Sequence, residues 1–529
     1  MNPQGNAVCF FVDRHLELGH ENRVAFVDVW RQRTYGELAK ETSLVASALC
    51  QSGLGRERRV GLLLLDTVDF PSIFWGAMRA GIVPVPINTW LPVEQIGYIL
   101  ADARAEALFV SEPLLAPLLP LLPELPELRL IVAVAPDGGL PRSVEEAKKT
   151  VPRLLGWQEF LARGRPDFAP VRAVDDEVAF WLYSSGSTGV PKGVKHVHRN
   201  LRATAETYGL QVLGITAEDV VFSAAKLFFA YGLGNAMTFP MAVGAQTVLL
   251  SERPSPGLVL ECMRRFQPSI FSGVPTLYAA LLAHPEIGPG AGSARLRRCN
   301  SAGEALPEAV GRRWREIVGV DILDGIGSTE MLHIFISNRP DDVRYGATGK
   351  LIPGYRAKIV DESGNEVADG TEGELLVQGP SAAEGYWLQL GKTRQTFRGE
   401  WVATGDTFVR DAEGYYHYRG RSDDMMKVSG IWVSPFEVEA SLMSHPAVLE
   451  AAVVGVADAE GLIKPKAFVV LTDAGRERDP RELTESLKEY VKERIGAWKY
   501  PRWIEIAESL PKTATGKIQR FKLRALSKA

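Results

Sequence analysis

The sequence is poor in cysteine. It has four such residues in a chain of 529, and they stand far apart: Cys9, Cys50, Cys262 and Cys299. No two of them have the spacing of a metal-binding pair, so neither a disulfide-stapled scaffold nor a zinc knuckle is predicted. We expect buried, reduced thiols of the kind found in cytosolic proteins.

Net charge and long apolar runs are also lacking. Lysine and arginine number 60 against 64 acidic residues, which gives a formal charge of −4. This balance argues against nucleic acid or an anionic membrane as the main partner. Prolines and acids interrupt the apolar stretch from Leu114 to Ala135, so it is not expected to span a membrane. The first twenty residues show no basic region ahead of an apolar one, so no signal peptide is predicted and a cytoplasmic protein is expected.

Two common nucleotide-binding patterns are missing as well. The P-loop pattern requires Gly-Lys followed by Ser or Thr. Here Lys192 is followed by Gly193, and Lys517 is followed by Ile518. No predicted strand leads into a Gly-x-Gly-x-x-Gly loop either. The chain therefore does not resemble a P-loop nucleoside triphosphatase or a dinucleotide-binding domain.

The chain does have length and a regular alternation of elements. A chain of 529 residues is too long for one core, so two to four domains are expected. A helical pattern covers 70–81, and apolar runs typical of strands lie at 58–66, 81–88, 106–111, 128–135, 177–182 and 245–250. This alternation predicts an α/β fold whose mostly parallel sheet is covered on both faces.

The pattern changes from about Arg344. Residues 356–379 and 400–421 alternate and carry turn signals, which predicts antiparallel hairpins. A helix over 434–445, strands over 450–458 and 465–472, and an amphipathic helix over 481–498 follow. We place a domain boundary near Arg421, which gives a large N-terminal domain, 1–421, and a C-terminal domain, 422–529.

One short stretch is unusually rich in hydroxyls and glycines. The sequence YSSGSTGVPKGV (183–194) directly follows an apolar strand pattern. A strand that leads into such a loop directs N–H groups and hydroxyls to one point, as phosphate sites do. Taken alone, the stretch is equally compatible with a flexible turn.

Five further motifs follow in order along the chain: SAGEALP (301–307), DGIGSTE (324–330), ATGD (403–406), GRSDD (420–424) and PKTATGK (511–517). Together with the first stretch they resemble the acyl-adenylate-forming superfamily of acyl-CoA synthetases, adenylation domains and luciferases. The resemblance covers nearly the whole chain. Three stretches, at 222–241, 324–335 and 422–440, are similar to benzoate–CoA ligases. The resemblance implies doubly wound sheets with a small antiparallel barrel subdomain, and a mobile α+β C-terminal domain.

It also implies which residues bind ATP. The phosphate loop would comprise Ser184, Ser185, Gly186, Ser187, Thr188, Gly189 and Lys192. Thr329 would contact the α-phosphate and Glu330 would hold Mg²⁺, a hard cation that prefers oxygen ligands. The adenine and AMP site would use Ser301, Ala302, Gly303, Glu304, Ala305, Asp324, Gly325, Ile326, Gly327 and Ser328. Asp406 would accept hydrogen bonds from both ribose hydroxyls, and Arg421 would contact ribose or phosphate.

The C-terminal motifs imply the remaining chemistry. Lys517 would bridge the substrate carboxylate and the α-phosphate as a compact positive charge. Asp423 matches a hinge that lets the small domain serve first adenylation and then thioester formation. Lys427, Ser429 and Gly430 would line the tunnel for the pantetheine arm of coenzyme A.

The acid site is implied by two segments: Phe229, Ala230 and Tyr231 in one, Gly327, His333 and Ile334 in the other. Aromatic, aliphatic and glycine positions predict a flat, mostly apolar slot that fits a phenyl ring. His333 either packs against that ring or makes a polar contact with a ring substituent. Benzoate is therefore the predicted acid, with 4-hydroxybenzoate and 2-aminobenzoate as alternatives.

Other functions stay open at this point. A stand-alone adenylation enzyme that loads a carrier protein would keep Lys517 and Asp406. A non-catalytic nucleotide-binding protein would have lost residues such as Glu330, and a luciferase-like oxygenase has only the fold in its favour. Two positions depart from many family members: Ile326 replaces an aromatic residue and Ala403 replaces an arginine. The expected partners are benzoate, ATP and coenzyme A, for a monomer or homodimer.

Overall fold

Two sheets built mainly from parallel strands form the first part of the molecule. The computed structural model describes residues 5–139, 147–149, 151, 153–185, 190–421, 424–428, 431–458, 462–496, 499–512 and 518–527. The larger sheet has nine strands in the spatial order Lys350–Leu351, Ile334–Ser337, Ile322–Gly327, Arg298–Ser301, Ile270–Gly273, Val220–Ser223, Gln246–Val248, Val24–Val27 and Gln32–Thr34. Its central strands are parallel, and antiparallel strands lie at both edges.

The second sheet is parallel throughout. Its five strands follow the order Val83–Pro86, Arg59–Leu63, Ala105–Ser111, Leu130–Val134 and Leu154–Gly156. Every residue of Ala105–Ser111 is buried, as expected of a strand covered on both faces. The predicted α/β class with parallel sheets is thus confirmed.

Antiparallel structure lies over 356–379 and 400–421, where the alternating pattern predicts it, and also in a second sheet that this pattern does not predict. Five strands form one sheet: Arg356–Val360, Gly373–Gln378, Trp401–Arg410, Phe397–Arg398 and Tyr416–Arg421. A smaller sheet places Pro191–Val197 between Val178–Ser185 and Gly385–Tyr386. This smaller sheet joins one hairpin to the distant segment Gly385–Tyr386 beside the candidate site.

The last hundred residues contain both strands and helices. Val448–Ala457 and Ile463–Leu471 are antiparallel, Trp503–Ile506 is parallel to the second of them, and Met426–Val428 pairs with Ile431–Val433. Buried side chains of these elements and of neighbouring helices form a separate hydrophobic cluster that includes Val438, Val453, Val469 and Leu487.

The helices are mostly short. The α-helices span Arg14–Glu17, Tyr35–Gln51, Asp69–Arg79, Val93–Asp102, Trp157–Leu161, His198–Thr204, Ala230–Leu233, Phe239–Val243, Pro256–Phe266, Pro275–Leu282, Glu308–Val318, Leu390–Thr396, Pro435–Met443, Asp473–Arg476, Pro480–Ile495 and Arg520–Leu526. π-helical segments span Cys9–Asp13, Ala205–Leu213 and Gly234–Thr238, and 3₁₀ turns span Glu112–Leu114, Ala116–Leu118, Leu122–Glu124 and Pro289–Gly292. Within the described ranges, every helix is too short or too polar to cross a bilayer.

Local sequence explains where several of these helices begin. Thr34 and Glu37 form a capping box at the start of Tyr35–Gln51. The Asp479 carboxylate accepts from the N–H groups of Arg481 and Glu482 at the start of Pro480–Ile495. Each cap satisfies backbone donors that would otherwise lack a partner, and each contributes about 1 kcal/mol.

Candidate active site

The glycine-rich stretch forms the end of an antiparallel hairpin. Strands Val178–Ser185 and Pro191–Val197 run in opposite directions, with Ser184 opposite Lys192. Lys192 therefore lies on the returning strand, at the mouth of the turn. The Ser184 hydroxyl oxygen is buried and has no hydrogen-bond partner among the described residues.

Part of the predicted phosphate loop is not covered. Gly186, Ser187, Thr188 and Gly189 lie outside the described residues, as does the side chain of Ser185. Their assignment remains a prediction.

A lysine, a tyrosine and a glutamate meet beside this hairpin. The Lys192 ammonium donates to the Tyr386 hydroxyl oxygen at 2.7 Å, and the Tyr386 hydroxyl donates to Glu330 Oε1, also at 2.7 Å. The Lys192 Nζ lies 3.4 Å from the same carboxylate oxygen. The side chains of Lys192 and Glu330 are only 16% and 15% exposed. The structure thus brings two predicted site residues together and adds a third.

Burial and charge oppose each other in this cluster. Burial lowers the pKa of Lys192, and the Glu330 carboxylate counteracts that effect. Burial acts to raise the pKa of Glu330, but the Lys192 charge and the Tyr386 hydrogen bond bring it below its ordinary value. Burial and the neighbouring Glu330 raise the pKa of Tyr386, so its hydroxyl stays protonated. Glu330 is therefore an anion at neutral pH, ready to meet a cation.

The backbone around Thr329 and Glu330 is held firmly. Three successive carbonyl oxygens accept hydrogen bonds: Thr329 O from His196 Nε2–H at 2.8 Å, Glu330 O from the Ala383 N–H at 2.8 Å, and Met331 O from the Ser381 hydroxyl at 2.7 Å. Asn200 donates to His196 Nδ1 at 3.1 Å, which fixes the imidazole with its proton on Nε2. Burial lowers the pKa of His196 to about 4, so the ring is neutral.

This turn joins two adjacent strands of the large sheet. Gly327 pairs with Ile334, and the residues between them include Ser328, Thr329, Glu330 and His333. A Cβ on Gly327 would lie 2.5 Å from the His333 carbonyl oxygen, so only glycine allows this close approach. Ser328 closes the turn by accepting the Met331 N–H at 3.1 Å.

The predicted adenine residues lie on neighbouring strands. Ser301, at the end of Arg298–Ser301, is the register partner of Asp324 in the next parallel strand. Both are buried, and Asp324 Oδ1 and the Ser301 hydroxyl oxygen have no hydrogen-bond partner within the described part of the chain. Burial raises the pKa of Asp324 well above its usual range. These atoms are suited to the amino group and ring nitrogens of a base.

The rest of the predicted AMP segment surrounds these two positions. Gly303 has a φ of +95°, the left-handed region that favours glycine, in the turn that follows Ser301. Ala302 is buried, while Glu304 and Ala305 are half-buried. Gly325, Ile326 and Gly327 form the last three positions of strand Ile322–Gly327. The partly buried Ile326 side chain packs against the main core.

The predicted ribose-binding acid lies in the antiparallel sheet. Asp406 is in strand Trp401–Arg410 and is the register partner of Arg421. Arg421 Nη1 lies 3.3 Å from Asp406 Oδ1 and also donates to the Thr404 carbonyl oxygen at 3.1 Å. Ala403 pairs with Leu376 in the same sheet. The two predicted ribose contacts therefore face each other across one strand pair.

Several residues predicted to form the acid pocket lie among aromatic rings. Phe229 directly precedes helix Ala230–Leu233, and the Tyr231 hydroxyl donates to the Asn300 carbonyl oxygen at 3.0 Å. The His333 ring packs among three rings, with centroid distances of 5.1 Å to Tyr208, 5.6 Å to Tyr231 and 4.5 Å to Phe239.

His333 is a neutral part of this cluster. Its Nε2–H donates to the Tyr231 carbonyl oxygen at 3.3 Å. Its Nδ1 is buried and has no partner among the residues described. Burial lowers the pKa of His333 to about 3. His333 therefore packs against aromatic rings and also has one hydrogen-bond acceptor, Nδ1, without a partner among the described residues.

Four predicted C-terminal residues fall outside the described part: Lys517, Asp423, Ser429 and Gly430. Lys427 lies in strand Met426–Val428, but its side chain is not part of the described structure. Asp424, the neighbour of the predicted hinge, forms ion pairs with Arg524 at 2.8 Å and Arg520 at 3.8 Å.

Three residues of the site lie outside the sequence motifs: Tyr386, His196 and Asn200. The only local signal for Tyr386 is a Gly-Tyr pair after an acidic residue, which is too common to single out. Its separation from Glu330 is 56 residues and from Lys192 is 194 residues. His196 lies four residues after Lys192 in the same strand, so an alternation rule for strands places it on the same face.

Several known proteins are similar to this chain in sequence. Residues 14–387 match the family model "AMP-binding enzyme", and residues 437–517 match "AMP-binding enzyme C-terminal domain". The chain is 50% identical over 522 residues to the 4-hydroxybenzoate–CoA/benzoate–CoA ligase of Rhodopseudomonas palustris, covering 99% of this chain and 94% of that one. It is 51% identical over 525 residues to the benzoate–CoA ligase of Thauera aromatica, covering 98% and 96%.

A solved structure is also similar over the whole length. The benzoate CoA ligase from Burkholderia xenovorans superposes with a TM-score of 0.89 at 45% identity, covering 98% of this chain and 99% of that one. The matched family models together take in the hairpin, the Thr329–Glu330 turn and the C-terminal motif. The chain belongs to the AMP-binding enzyme family.

Proposed function

We propose that this protein is an AMP-forming acid–thiol ligase that joins benzoate to coenzyme A. The observation that carries the chemistry is the buried Lys192–Tyr386–Glu330 cluster at the mouth of the glycine-rich hairpin. A buried cation beside a buried anion suits a ligand that carries both phosphates and a metal ion. The two relatives near 50% identity support benzoate as the acid.

The reaction proceeds in two steps. A benzoate oxygen attacks the α-phosphorus of ATP, the bond between the α-phosphorus and the bridging oxygen breaks, and pyrophosphate leaves. The sulfur of coenzyme A then attacks the carbonyl carbon of benzoyl-AMP, AMP leaves, and the thiol proton passes to solvent. Because the substrates supply both nucleophiles, the protein's task is to orient them and to neutralise charge.

The described residues divide this task. Lys192 pairs with the phosphates that depart as pyrophosphate, and the Ser184 hydroxyl donates to a phosphate oxygen. Asp324 accepts from the adenine amino group, and Asp406 accepts from the ribose hydroxyls. Thr329 contacts the α-phosphate from a turn whose carbonyl oxygens are already fixed.

Glu330 is the residue that would hold Mg²⁺. The described residues contain no group of three or more His, Cys, Asp or Glu side chains placed to bind a metal. A single buried carboxylate fits Mg²⁺ all the same, because this ion usually takes one or two carboxylates and completes its shell with water and substrate phosphates. When bound, it supplies positive charge that offsets the charge of the phosphates.

The C-terminal domain would complete the site. Its boundary lies at residues 421–422, and the separate hydrophobic cluster around Val438 and Val469 supports a unit with its own core. Asp423 would act as the hinge and Lys517 would reach the reacting carboxylate and α-phosphate. Lys427, Ser429 and Gly430 would guide the pantetheine arm in the second orientation.

The acid slot would be formed by Phe229, Ala230, Tyr231, Gly327, His333 and Ile334. None of these carries a permanent positive charge, so a second carboxylate on the substrate would be unfavourable. 4-Hydroxybenzoate is the second candidate, because the Rhodopseudomonas palustris relative is named for both acids. Since ATP and coenzyme A are its substrates, we place the enzyme in the cytoplasm.

A turnover assay tests the proposal. Purified protein receives ATP, Mg²⁺, coenzyme A and one of five acids: benzoate, 4-hydroxybenzoate, 2-aminobenzoate, cyclohexanecarboxylate or octanoate. We expect AMP and thioester chiefly with benzoate. Pyrophosphate exchange without thioester would indicate a carrier-protein acceptor instead, and no ATP turnover with any acid would refute the ligase assignment.

A further inference from the structure

Tyr386 connects the two charged residues of the cluster. We propose that Tyr386 is a positioning residue for MgATP, which holds the Glu330 carboxylate in place when Lys192 turns from it to the phosphates. This inference rests on the proposed function. It concerns a residue that none of the sequence motifs contains.

The backbone of Tyr386 is fixed relative to Lys192. Strand Gly385–Tyr386 pairs with the strand that carries Lys192, with Tyr386 opposite Val194. The Tyr386 N–H donates to the Thr393 hydroxyl oxygen at 3.1 Å. Its ring meets Phe397 edge to face at a centroid distance of 5.5 Å. These backbone and ring contacts therefore fix the position from which the Tyr386 phenol contacts Glu330.

Glu330 needs a second partner besides Lys192, because the charges around it change when ATP binds. In the free protein Lys192 lies 3.4 Å from Glu330 Oε1 and offsets its charge. Once Lys192 pairs with phosphate oxygens, that support weakens while Glu330 is still largely buried. The Tyr386 hydroxyl, 2.7 Å from the same oxygen, can keep its hydrogen bond throughout. Without it, the carboxylate would be free to rotate away from the metal ion.

MgATP binding measured by calorimetry in the absence of any acid tests this role, because no chemistry can then occur. We expect Tyr386→Phe to weaken MgATP binding about ten-fold, the usual scale for one hydrogen bond to a charged group. Binding of ATP in EDTA should change little. Tyr345→Phe is the matched control, since Tyr345 also donates to a carboxylate, Asp321 at 2.8 Å, but lies outside the cluster.

A double-mutant comparison identifies the route of the effect. If Tyr386 acts through Glu330, the Tyr386→Phe substitution should add little to the loss already caused by Glu330→Gln. Thermal unfolding of each variant verifies that the fold is retained. Wild-type affinity in Tyr386→Phe, an equal loss in EDTA, or additive losses in the double variant would each overturn the inference while leaving the ligase assignment intact. Wild-type protein that fails to bind MgATP would overturn both.

Discussion

The ion pair between Lys192 and Glu330 allows a prediction about stability as well as activity. Lys192→Met keeps the length of the side chain and removes its charge. At 3.4 Å the pair attracts by about 5 kcal/mol if the effective dielectric constant is about 20. Two effects reduce the loss. Methionine has no charge to desolvate on burial, unlike the lysine ammonium, and Tyr386 still donates to the carboxylate. We therefore expect the free energy of unfolding to fall by about 3 kcal/mol.

Urea unfolding of the ligand-free protein at pH 8 measures this change. The double variant Lys192→Met/Glu330→Gln should recover about 2 kcal/mol of the loss, because the uncompensated charge is gone. Pyrophosphate exchange should fall roughly 100-fold or more in Lys192→Met, while thioester formation from supplied benzoyl-AMP should be largely retained. A single variant as stable as the wild type, or a double variant no more stable than the single one, would refute the charge argument.

Three further predictions concern other parts of the molecule. Lys517→Ala should abolish benzoyl-AMP formation but spare thioester formation from supplied benzoyl-AMP; equal loss in both half-reactions would contradict its role. His333→Ala should lower the unfolding free energy by about 2–4 kcal/mol and widen the range of acids accepted, whereas an unchanged kcat/KM profile would remove it from the pocket. Burial lowers the pKa of His15, His196 and His198 to about 4, below the unfolded value of about 6.5. As the pH falls, the unfolded chain takes up protons before the folded one does. The stability that these histidines contribute is therefore complete above about pH 6.5, and it should drop by up to about 2 kcal/mol per histidine by pH 5. A urea midpoint that does not change over this range would show that these rings are not held neutral by burial.

Several parallel strands could be predicted because their sequences are continuously apolar. The strand predicted over 106–111 spans Ala105–Ser111. The helix expected over 70–81 spans Asp69–Arg79, and that expected over 481–498 spans Pro480–Ile495. A parallel strand buried on both faces leaves this pattern in the sequence itself, without any knowledge of its neighbours.

The hairpin at the glycine-rich stretch could not be predicted in the same way. Pro191 and Gly193 are typical of loops, so the local sequence does not predict the return strand. Proline is tolerated because it is the first residue of that strand. Gly193 is suited to its place because a Cβ there would lie 3.2 Å from the Tyr183 ring on the opposite strand. Both residues are suited to this strand because of their place in the tertiary structure, which a local sequence pattern does not reveal.

The same limit explains why motifs identified Lys192 and Glu330 but not the group between them. A motif records residues that are close in sequence, whereas Tyr386 reaches the site through the register of a two-residue strand. A shift of that strand by one residue would turn its side chain to the other face and break both 2.7 Å hydrogen bonds. The register is fixed on either side of the strand, where the Glu384 N–H donates to the Lys195 carbonyl oxygen and the Trp387 N–H to that of Gly193. The electrostatics of the site therefore depend on backbone pairing, and a substitution that shifts this register should impair MgATP binding even if every motif residue is retained.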